Sequence, residues 1–415
     1  MPFVTSSESS WNLHLFRDIS YNGLYVSNEK MTEPMLTETE NLLQNTVREF
    51  ADQVLAPRAA SYDESGEFPW DNFRGLAELG LLGLSIDENY EGSGGTNLQM
   101  TVVVEEIARG CAATSLIYIA HLSLCTQFIQ MFGSHTQKKN FIPSMVRGEK
   151  IGAFALSEAD SGSDAVSLRT TSTKTDSHYM LNGSKMFISN ALEANTFVVL
   201  VTRDIALGTE GIDALIVEKN SKGMTTTPQH GKMGMRASST AEVVFQNCSV
   251  PLKNLLGNEG KGFQQTMELL NSSRISIGAQ CVGIAQAAYE ASVEYIKQRV
   301  AFGKKLADFQ GIQWMIADMA TNIEAARLMV RRAATLRDKN MPFVTAASMA
   351  KLFASRVAME SADRAVQIHG GTGYFAPSPV ERLFRDARVT EIYEGTSEIQ
   401  KLIIARNILQ SREKP

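Results

Sequence analysis

Apolar residues in the first third of the chain recur at the three- and four-residue spacing of an amphipathic helix. The clearest series is Leu43, Val47, Phe50 and Val54. It follows a sequence typical of a helix N-terminus, in which Thr37 can cap the backbone and Glu40 can reach back to it. Similar spacing continues to about residue 148. We therefore predict a helical domain over residues 31–150, after a polar extension at residues 1–30.

Between residues 151 and 258 the pattern changes to short runs of β-branched and aromatic residues, separated by Gly, Asn, Asp and Ser. The runs are residues 151–156, 179–181, 197–201, 214–217 and 243–245. Asn182-Gly183 has the sequence of a tight hairpin turn. Short runs with turn signals between them predict a small antiparallel β-domain over residues 151–258.

The helical period returns after Gly262 and holds nearly to the end of the chain. The long amphipathic stretches are residues 263–299, 309–337, 343–369 and 396–410. Long helices with short connections are typical of an up-and-down bundle, so residues 259–415 are predicted to form a four-helix bundle. The predicted fold class is multi-domain α+β, with a helical N-terminal domain, a middle antiparallel β-domain and this C-terminal bundle.

The composition of the chain argues against a nucleic-acid-binding protein, a membrane-spanning protein and a metal enzyme. The 415 residues are 44% hydrophobic and carry a net charge of -5, and this acidic balance argues against a nucleic-acid-binding protein. No apolar run approaches the roughly 20 residues that cross a bilayer, so no membrane span is expected. The four scattered cysteines form no CxxC pair and the six histidines form no HExxH motif, which argues against a metal site and favours a reducing compartment.

One carboxylate lies in an otherwise uncharged hexapeptide, Ile392-Tyr393-Glu394-Gly395-Thr396-Ser397. Apolar surroundings raise the pKa of a carboxyl group and suit it to act as a general base on a weakly acidic carbon. The structural alternative is that Thr396 or Ser397 caps the helix that ends the chain. Residue chemistry alone leaves both interpretations open.

Four other segments suit a flat or phosphorylated ligand, and each also has an ordinary structural interpretation. Residues 155–164 offer hydroxyl groups and glycine after a strand, or form a simple turn. Phe187 and Ser189 lie two apart on a predicted strand, so both should point to one face. Residues 299–304 end a helix with Arg and Lys, which can bind a pyrophosphate or stabilise the helix C-terminus. Residues 367–373 contain glycines that stop a helix and admit a ligand to the backbone.

No Rossmann fingerprint and no phosphate-binding P-loop motif is present in the sequence. Together and in this order, the five segments instead resemble the acyl-CoA dehydrogenase family, from about residue 37 to residue 410. The most specific parts are YEGTSEIQ, the RxxFGK stretch and QIHGG, and the resemblance is greatest to the short-chain, butyryl-type branch. It implies the three-domain order above, with FAD bound noncovalently at a subunit interface of a homotetramer that is a dimer of dimers.

The resemblance implies a reaction for Glu394. In the family, the matching glutamate removes the α-proton of an acyl-CoA thioester while the β-hydrogen leaves as hydride to flavin N5, which forms a trans-2-enoyl-CoA. The backbone N–H of the glutamate and a ribityl hydroxyl polarise the thioester carbonyl. Some branches place the base at the position that is Ser273 here, so Glu394 remains as the base. The implied electron acceptor is an electron-transfer flavoprotein, and the implied setting is fatty-acid β-oxidation.

The resemblance also implies which residues hold the cofactor and the substrate, and it implies no metal ligands. The FAD-binding set is Leu156, Ser157, Ser163, Phe187, Ile188, Ser189, Arg299, Phe302, Gln310, Gln367, Gly370, Gly371, Thr396 and Glu398. Members of this set from Arg299 to Gly371 should hold the adenine half, largely from the neighbouring subunit. The substrate-binding set is Ser163, Asn271, Ser273, Arg274 and Gly395.

Departures from the family pattern concern the thioester carrier and the acyl group. Ala159-Asp160-Ser161 replaces the usual Pro-Gly-Ala, Asn271 replaces an Asp, and residues 376–379 lack the usual Tyr-Pro. They keep open an acyl-CoA oxidase or an acyl-carrier-protein-linked dehydrogenase of the same fold, with a non-catalytic flavin-binding scaffold as a third alternative. Ser115 replaces the arginine of the glutaryl branch and precedes an apolar stretch, which predicts an uncharged, short to medium acyl chain. The expected location is the cytoplasm of a bacterium or the mitochondrial matrix of a eukaryote.

Overall fold

The computed structural model describes residues 36–410, so the predicted extension at residues 1–30 lies outside the described residues. The first helices are α1 (Glu38–Phe50), α2 (Ala56–Ser65), α3 (Trp70–Glu78), α4 (Asn97–Gly110), α5 (Ala112–Tyr118), α6 (Gln127–Phe132) and α7 (His135–Val146). The predicted cap of α1 is confirmed. The backbone N of Thr37 donates to Glu40 Oε2 at 2.8 Å, and the backbone N of Glu40 donates to Thr37 Oγ1 at 3.4 Å.

One apolar helical segment is longer than the sequence pattern suggested. Ala112–Phe132, which contains α5, α6 and the π-helical turns between them, has 21 residues and is apolar enough to span a bilayer by length and composition. This corrects the expectation that no apolar run approaches that length. However, 89% of its most apolar window is buried inside the protein, so packing explains its composition. His121 within it is fully buried, and burial lowers its pKa to about 4.

A seven-stranded sheet follows the helical part. Its strands are β1 (Gly152–Ala155), β2 (Thr171–Lys174), β3 (His178–Ser189), β4 (Thr196–Thr202), β5 (Ile212–Glu218), β6 (Met224–Pro228) and β7 (Thr240–Pro251). The strand order is β1-β4-β2-β3-β7-β6, with β5 also paired to β4. Most pairs are antiparallel as predicted, but β1 and β2 pair with β4 in parallel, so the sheet is mixed. Strand runs alone do not show this, because parallel pairing depends on the long crossover connections.

The predicted hairpin at Asn182-Gly183 is wrong, since both residues lie inside β3 and opposite β7. Gly183 has a φ of +140°, and a Cβ there would lie 2.7 Å from the Cα of Thr170. The glycine is therefore required by the close approach of a neighbouring strand rather than by a turn. Asn182 accepts a hydrogen bond from the backbone N of Asn247 in β7 at 2.8 Å.

The C-terminal part is helical again. Its elements are α8 (Gly262–Gln298), the hairpin strands β8 (Val300–Ala301) and β9 (Lys304–Lys305), α9 (Gln310–Asp338), α10 (Val344–His369), α11 (Gly371–Tyr374), α12 (Pro379–Arg388) and α13 (Ser397–Gln410). The four long helices agree with the predicted stretches. The pattern missed α11 and α12, which are too short to show a clear helical period. Small residues let α8 approach its neighbours closely, and a Cβ on Gly278 would lie 2.8 Å from Val330.

Candidate active site

The turn that joins α12 to α13 places Glu394 in an unusual backbone conformation. Glu394 has a φ of +51° and Gly395 a φ of +97°. The left-handed region is uncommon for a residue with a side chain, and it persists where surrounding contacts hold it. Thr396 Oγ1 accepts a hydrogen bond from the backbone N of Ile399 at 3.4 Å, so the predicted cap of α13 is present beside the proposed base.

The Glu394 carboxyl group is partly buried and meets α8, where the hydroxyl of Ser273 donates a hydrogen bond to its Oε2. Burial raises the pKa of Glu394 to about 7, while the Ser273 hydrogen bond and the charges of Lys351 and Arg274 oppose that rise. A carboxyl group that titrates near neutrality is suited to take up a proton. The structure thus brings together three of the predicted site residues, Ser273, Glu394 and Gly395.

Arg274 and Asn271 lie on the same stretch of α8. Arg274 Nη1 donates to Asn271 Oδ1 at 2.6 Å, and burial lowers the pKa of Arg274 to about 10. Its Nε is buried and has no hydrogen-bond partner among residues 36–410. A buried guanidinium N–H without a partner is costly, so this group has a free donor for a ligand near Glu394.

A chain of buried hydrogen bonds connects the Glu394 turn to α5. The hydroxyl of Tyr393 donates to Gln280 Oε1. Gln280 Nε2 donates to Ser115 Oγ at 2.7 Å and to the carbonyl of Ala112 at 3.3 Å. Gln280 is not among the predicted site residues, although it lies seven residues after Ser273 and therefore on the same face of α8. That spacing is the signal that could have identified it.

The loop after β1 and the end of β3 lie side by side, because the backbone N of Met186 donates to the carbonyl of Ser157 at 2.8 Å. These two segments contain Leu156, Ser157, Ser163, Phe187, Ile188 and Ser189 of the predicted FAD-binding set. Phe187 is 65% exposed with a φ of +63°, where the pairing of β3 with β7 is irregular. Lys185 and Ile188 are both buried. The irregularity therefore lies before Ile188, while Phe187 and Ser189 are both more exposed than the buried Ile188 between them.

A buried ion pair holds these two segments together. Lys185 is 0% exposed, and its Nζ lies 2.7 Å from Glu158 Oε1. Glu158 also accepts hydrogen bonds from the backbone N of Arg169 at 2.6 Å and of Thr170 at 3.0 Å. Sequence reasoning missed this pair, since Lys185 and Glu158 are 27 residues apart and no local pattern links them.

The residues predicted to hold the adenine half lie at the other end of α8. Arg299, Phe302, Gln310, Gln367, Gly370 and Gly371 are all exposed, and Phe302 is 96% exposed. The rings of Tyr295 and His369 stack at 4.2 Å, which joins the C-terminal ends of α8 and α10. His369 Nδ1 contacts the carbonyl of Ala365 at 2.8 Å, so its contacts are structural. Ser273 and Arg299 are about 39 Å apart along the single helix α8, at 1.5 Å per residue.

A cavity of about 550 Å³ lies beside the Glu394 turn, and its walls include Ile392, Thr396, Glu398, Phe353 and Arg356. Thr396 and Glu398 belong to the predicted FAD-binding set. Phe187 is exposed and Ser157 and Ser189 are partly exposed, so the ring and the two hydroxyl groups are accessible to a flat cofactor that accepts hydrogen bonds. Among residues 36–410 no group of three or more His, Cys, Asp or Glu side chains could hold a metal ion.

Three family models together match most of the chain. They are the N-terminal domain of acyl-CoA dehydrogenase over residues 37–149, the middle domain over residues 153–248 and the C-terminal domain over residues 260–409. The short-chain specific acyl-CoA dehydrogenase of Clostridium acetobutylicum is 43% identical over 90% of this chain and 99% of its own length. The human mitochondrial short-chain specific enzyme is 44% identical over 91% of each chain.

Solved structures agree with these relatives. Butyryl-CoA dehydrogenase from Megasphaera elsdenii has a TM-score of 0.88 at 41% identity, covering 90% of this chain and 99% of that one. A chain in a structure described as the electron transferring flavoprotein of Acidaminococcus fermentans has a TM-score of 0.89, at the same identity and coverage. An acyl-CoA dehydrogenase from Bacillus anthracis, complexed with FAD, has a TM-score of 0.87 at 33% identity, covering 91% of this chain and 68% of that one. The chain therefore belongs to the acyl-CoA dehydrogenase family and is a FAD-dependent oxidoreductase that acts on acyl-CoA.

Proposed function

We propose that Glu394 is the base that removes the α-proton of an acyl-CoA thioester, so that the acyl chain becomes a trans-2-enoyl-CoA. The observation that carries this proposal is the partly buried carboxyl group with a pKa raised to about 7. At neutral pH a large share of the molecules then holds Glu394 as a carboxylate able to accept a proton. Bound FAD supplies the acceptor for the β-hydrogen, which leaves as hydride.

The backbone around Glu394 supports polarisation of the thioester carbonyl. The N–H of Glu394 donates to no acceptor among the described residues, while the neighbouring N–H groups of Ile392 and Tyr393 both donate to Val389. A free backbone donor next to the base can stabilise the negative charge that develops on the carbonyl oxygen as the α-proton leaves.

We infer an uncharged, short to medium acyl chain. Gln280 on α8 forms hydrogen bonds with Tyr393 of the Glu394 turn and with Ser115 of α5. Their polar groups are therefore occupied, and none of the three carries a charge that could pair with a second carboxylate. On the thioester side, we propose that Arg274 and Asn271 contact the carrier, with Arg274 Nε as the free donor.

We also propose that FAD is bound between two copies of the chain, within a homotetramer. Ser273, next to the Glu394 turn, and Arg299, in the adenine set, are about 39 Å apart along α8. Because these two groups of residues lie far apart along one long helix, we infer that each FAD molecule takes its two groups of binding residues from different chains. The 96% exposed Phe302 ring and its exposed neighbours suit a surface that a second copy covers. The closed symmetry of most homo-oligomers makes such shared sites common.

We propose an electron-transfer flavoprotein as the electron acceptor, because this chain matches a chain in a structure named for such a flavoprotein. The corresponding setting is fatty-acid β-oxidation, in the cytoplasm of a bacterium or in the mitochondrial matrix of a eukaryote. The human relative is named as a mitochondrial enzyme. We propose that the domain boundaries lie near residues 150 and 258, as the change in sequence pattern predicts.

The central experiment compares Glu394→Gln with the native protein. The variant is expected to retain FAD, since glutamine keeps the size of the side chain, but to lose anaerobic flavin reduction by acyl-CoA by at least about 1000-fold. Glu360→Gln, an exposed carboxylate on α10, is the matched control and should reduce normally. Near-normal reduction in Glu394→Gln would refute the assignment of the base.

A panel of acyl-CoA thioesters from butyryl to hexadecanoyl then tests the chain length by anaerobic flavin bleaching. Faster bleaching by the longest members would contradict the short to medium assignment. Mixing the reduced, product-bound protein with O2 separates the dehydrogenase from an oxidase of the same fold. Slow reoxidation supports the dehydrogenase, whereas fast reoxidation supports the oxidase.

A further inference from the structure

We propose that Lys351 is a positioning residue for Glu394, whose buried ammonium group holds the Glu394-Gly395 turn and favours the ionised form of the base. The proposal rests on the assignment of Glu394 under the proposed function and adds a second element, α10, to that site. Lys351 lies 44 residues before Gly395, so no local motif connects the two.

Lys351 is buried in an unusual way. Its side chain is 0% exposed and lies on α10 among fully buried alanines, including Ala347, Ala350 and Ala354. Fully buried lysines are rare unless they are paired. Its Nζ donates to the backbone carbonyl of Gly395 at 2.9 Å. The cation is therefore bound to the turn that carries the base rather than to a carboxylate.

The turn needs such support because two consecutive residues have a positive φ, at Glu394 and Gly395. Gln400 of α13 donates from Nε2 to the same Gly395 carbonyl at 3.0 Å. The carbonyl thus receives donors from α10 and α13, and the left-handed conformation of Glu394 is fixed from both sides. Loss of either donor should make the orientation of the Glu394 carboxylate toward Ser273 and the substrate less well defined.

The positive charge of Lys351 also lowers the pKa of the Glu394 carboxyl group. The titratable and charged groups that face Lys351 are Cys281 and Arg274 from α8, and Glu391 and Glu394 from the segment after α12. Burial lowers the pKa of Lys351, and the two carboxylates oppose that change. At Glu394, burial raises the pKa, while Ser273, Lys351 and Arg274 lower it. Removing the Lys351 cation therefore moves the titration of Glu394 to higher pH.

The test is the pH profile of single-turnover flavin reduction by an acyl-CoA thioester in the FAD-loaded protein. Lys351→Met removes the cation and the donor at nearly constant volume. We expect the midpoint of the profile to rise by about one pH unit. The rate at pH 7 should then fall roughly fivefold beyond any loss at the plateau and recover as the pH rises. Lys339→Met, at an exposed position after α9, is the matched control and should leave the midpoint unchanged.

A second variant separates the two roles. Gln400→Leu keeps the Lys351 charge but removes the other donor to Gly395, so it should lower the plateau rate and leave the midpoint in place. If Lys351→Met does not fold, Lys351→Gln, which removes the charge but retains a donor, provides the same test of the midpoint. An unchanged midpoint in a folded Lys351 variant would overturn the proposal.

The two proposals fail in different ways. If the native protein is not reduced by any thioester, or if Glu394→Gln is still reduced, the proposed function itself is wrong. If both of those results are as expected and the midpoint in Lys351→Met equals that of the native protein, only the positioning role is wrong.

Discussion

Glu394 combines a strained backbone with a partly buried acid, and each property follows from its neighbours. Gly395 and the donors to its carbonyl stabilise the left-handed turn, and the contact with α8 removes water from the carboxyl group. The hexapeptide alone suggested either a base or a helix cap. Both features are present, because Thr396 caps α13 while the residue two positions earlier has a raised pKa.

The raised pKa of Glu394 has a consequence for stability. The folded pKa of about 7 exceeds the ordinary value of 4.5, so the folded protein holds the proton more tightly than the unfolded chain. The ionised group therefore destabilises the fold increasingly between about pH 4.5 and pH 7, and the full cost is present above pH 7. Glu394→Gln removes that cost.

We expect the Glu394→Gln protein to be more stable than the native protein by about 1–2 kcal/mol at pH 8, a value that allows for solvent screening of a partly exposed group. The difference should vanish below about pH 4.5. Urea unfolding at several pH values measures it, with Glu360→Gln as the exposed control. Equal stability of the two proteins at pH 8 would contradict the burial of Glu394.

At the scale of elements, the ion pair between Lys185 and Glu158 joins β3 to the loop after β1. The sequence indicated both segments, but it placed a hairpin at Asn182-Gly183 that the structure replaces with a continuous, irregular strand. The ion pair also changes the pKa of Glu158. Burial raises the pKa of Glu158, but the charge and hydrogen bond of Lys185, together with the hydrogen bonds from Thr170 and Arg169, outweigh burial, so the pKa lies below its usual value.

Glu158→Gln should lower the free energy of unfolding by about 3 kcal/mol, because Lys185 is then buried without a countercharge. FAD should also dissociate more readily, since the loop with Ser157 and Ser163 loses its anchor. Adding Lys185→Met should recover part of the lost stability. The exposed pair of Arg356 and Glu360 is the control, and breaking it should cost less than about 1 kcal/mol.

The stability that the Lys185–Glu158 ion pair contributes should decrease as the pH falls. The depressed pKa of Glu158 means that its contribution to stability is present above the ordinary carboxyl range and is lost as the pH falls through the folded pKa. The stability difference between the native protein and Glu158→Gln should therefore shrink in acid. A difference that stays constant, or no difference at all, would show that the pair does not anchor the loop.

At the scale of the whole molecule, the length of α8 separates the two halves of the predicted FAD site. The Glu394 end holds Ser273, and the far end holds Arg299, about 39 Å away by helical rise. Each copy of the chain should therefore contribute one half to each of two sites in a dimer. This arrangement makes a specific prediction for mixtures of inactive variants.

Glu394→Gln and the double variant Arg299→Ala/Gln367→Ala should each be inactive alone. When the two chains are coexpressed, half of the dimers contain one of each, and one of the two sites in such a dimer has no defect. We expect about a quarter of the native flavin reduction rate to return, as random pairing in a twofold dimer requires. Coexpression of two differently tagged Glu394→Gln chains is the control. No recovery in the mixed sample would place the whole FAD site within one chain.

Local spacing in the chain was enough to predict the long helices, most strands and the segments that carry the family resemblance. Those features depend on periodicity and turn chemistry over a few residues. Only the tertiary structure showed that Ser273 meets Glu394 across 121 residues, that Lys351 binds the Gly395 carbonyl and that β1 lies parallel to β4. These contacts join elements that are distant in the chain, and they depend on how whole helices and strands pack. No short stretch of sequence contains that information.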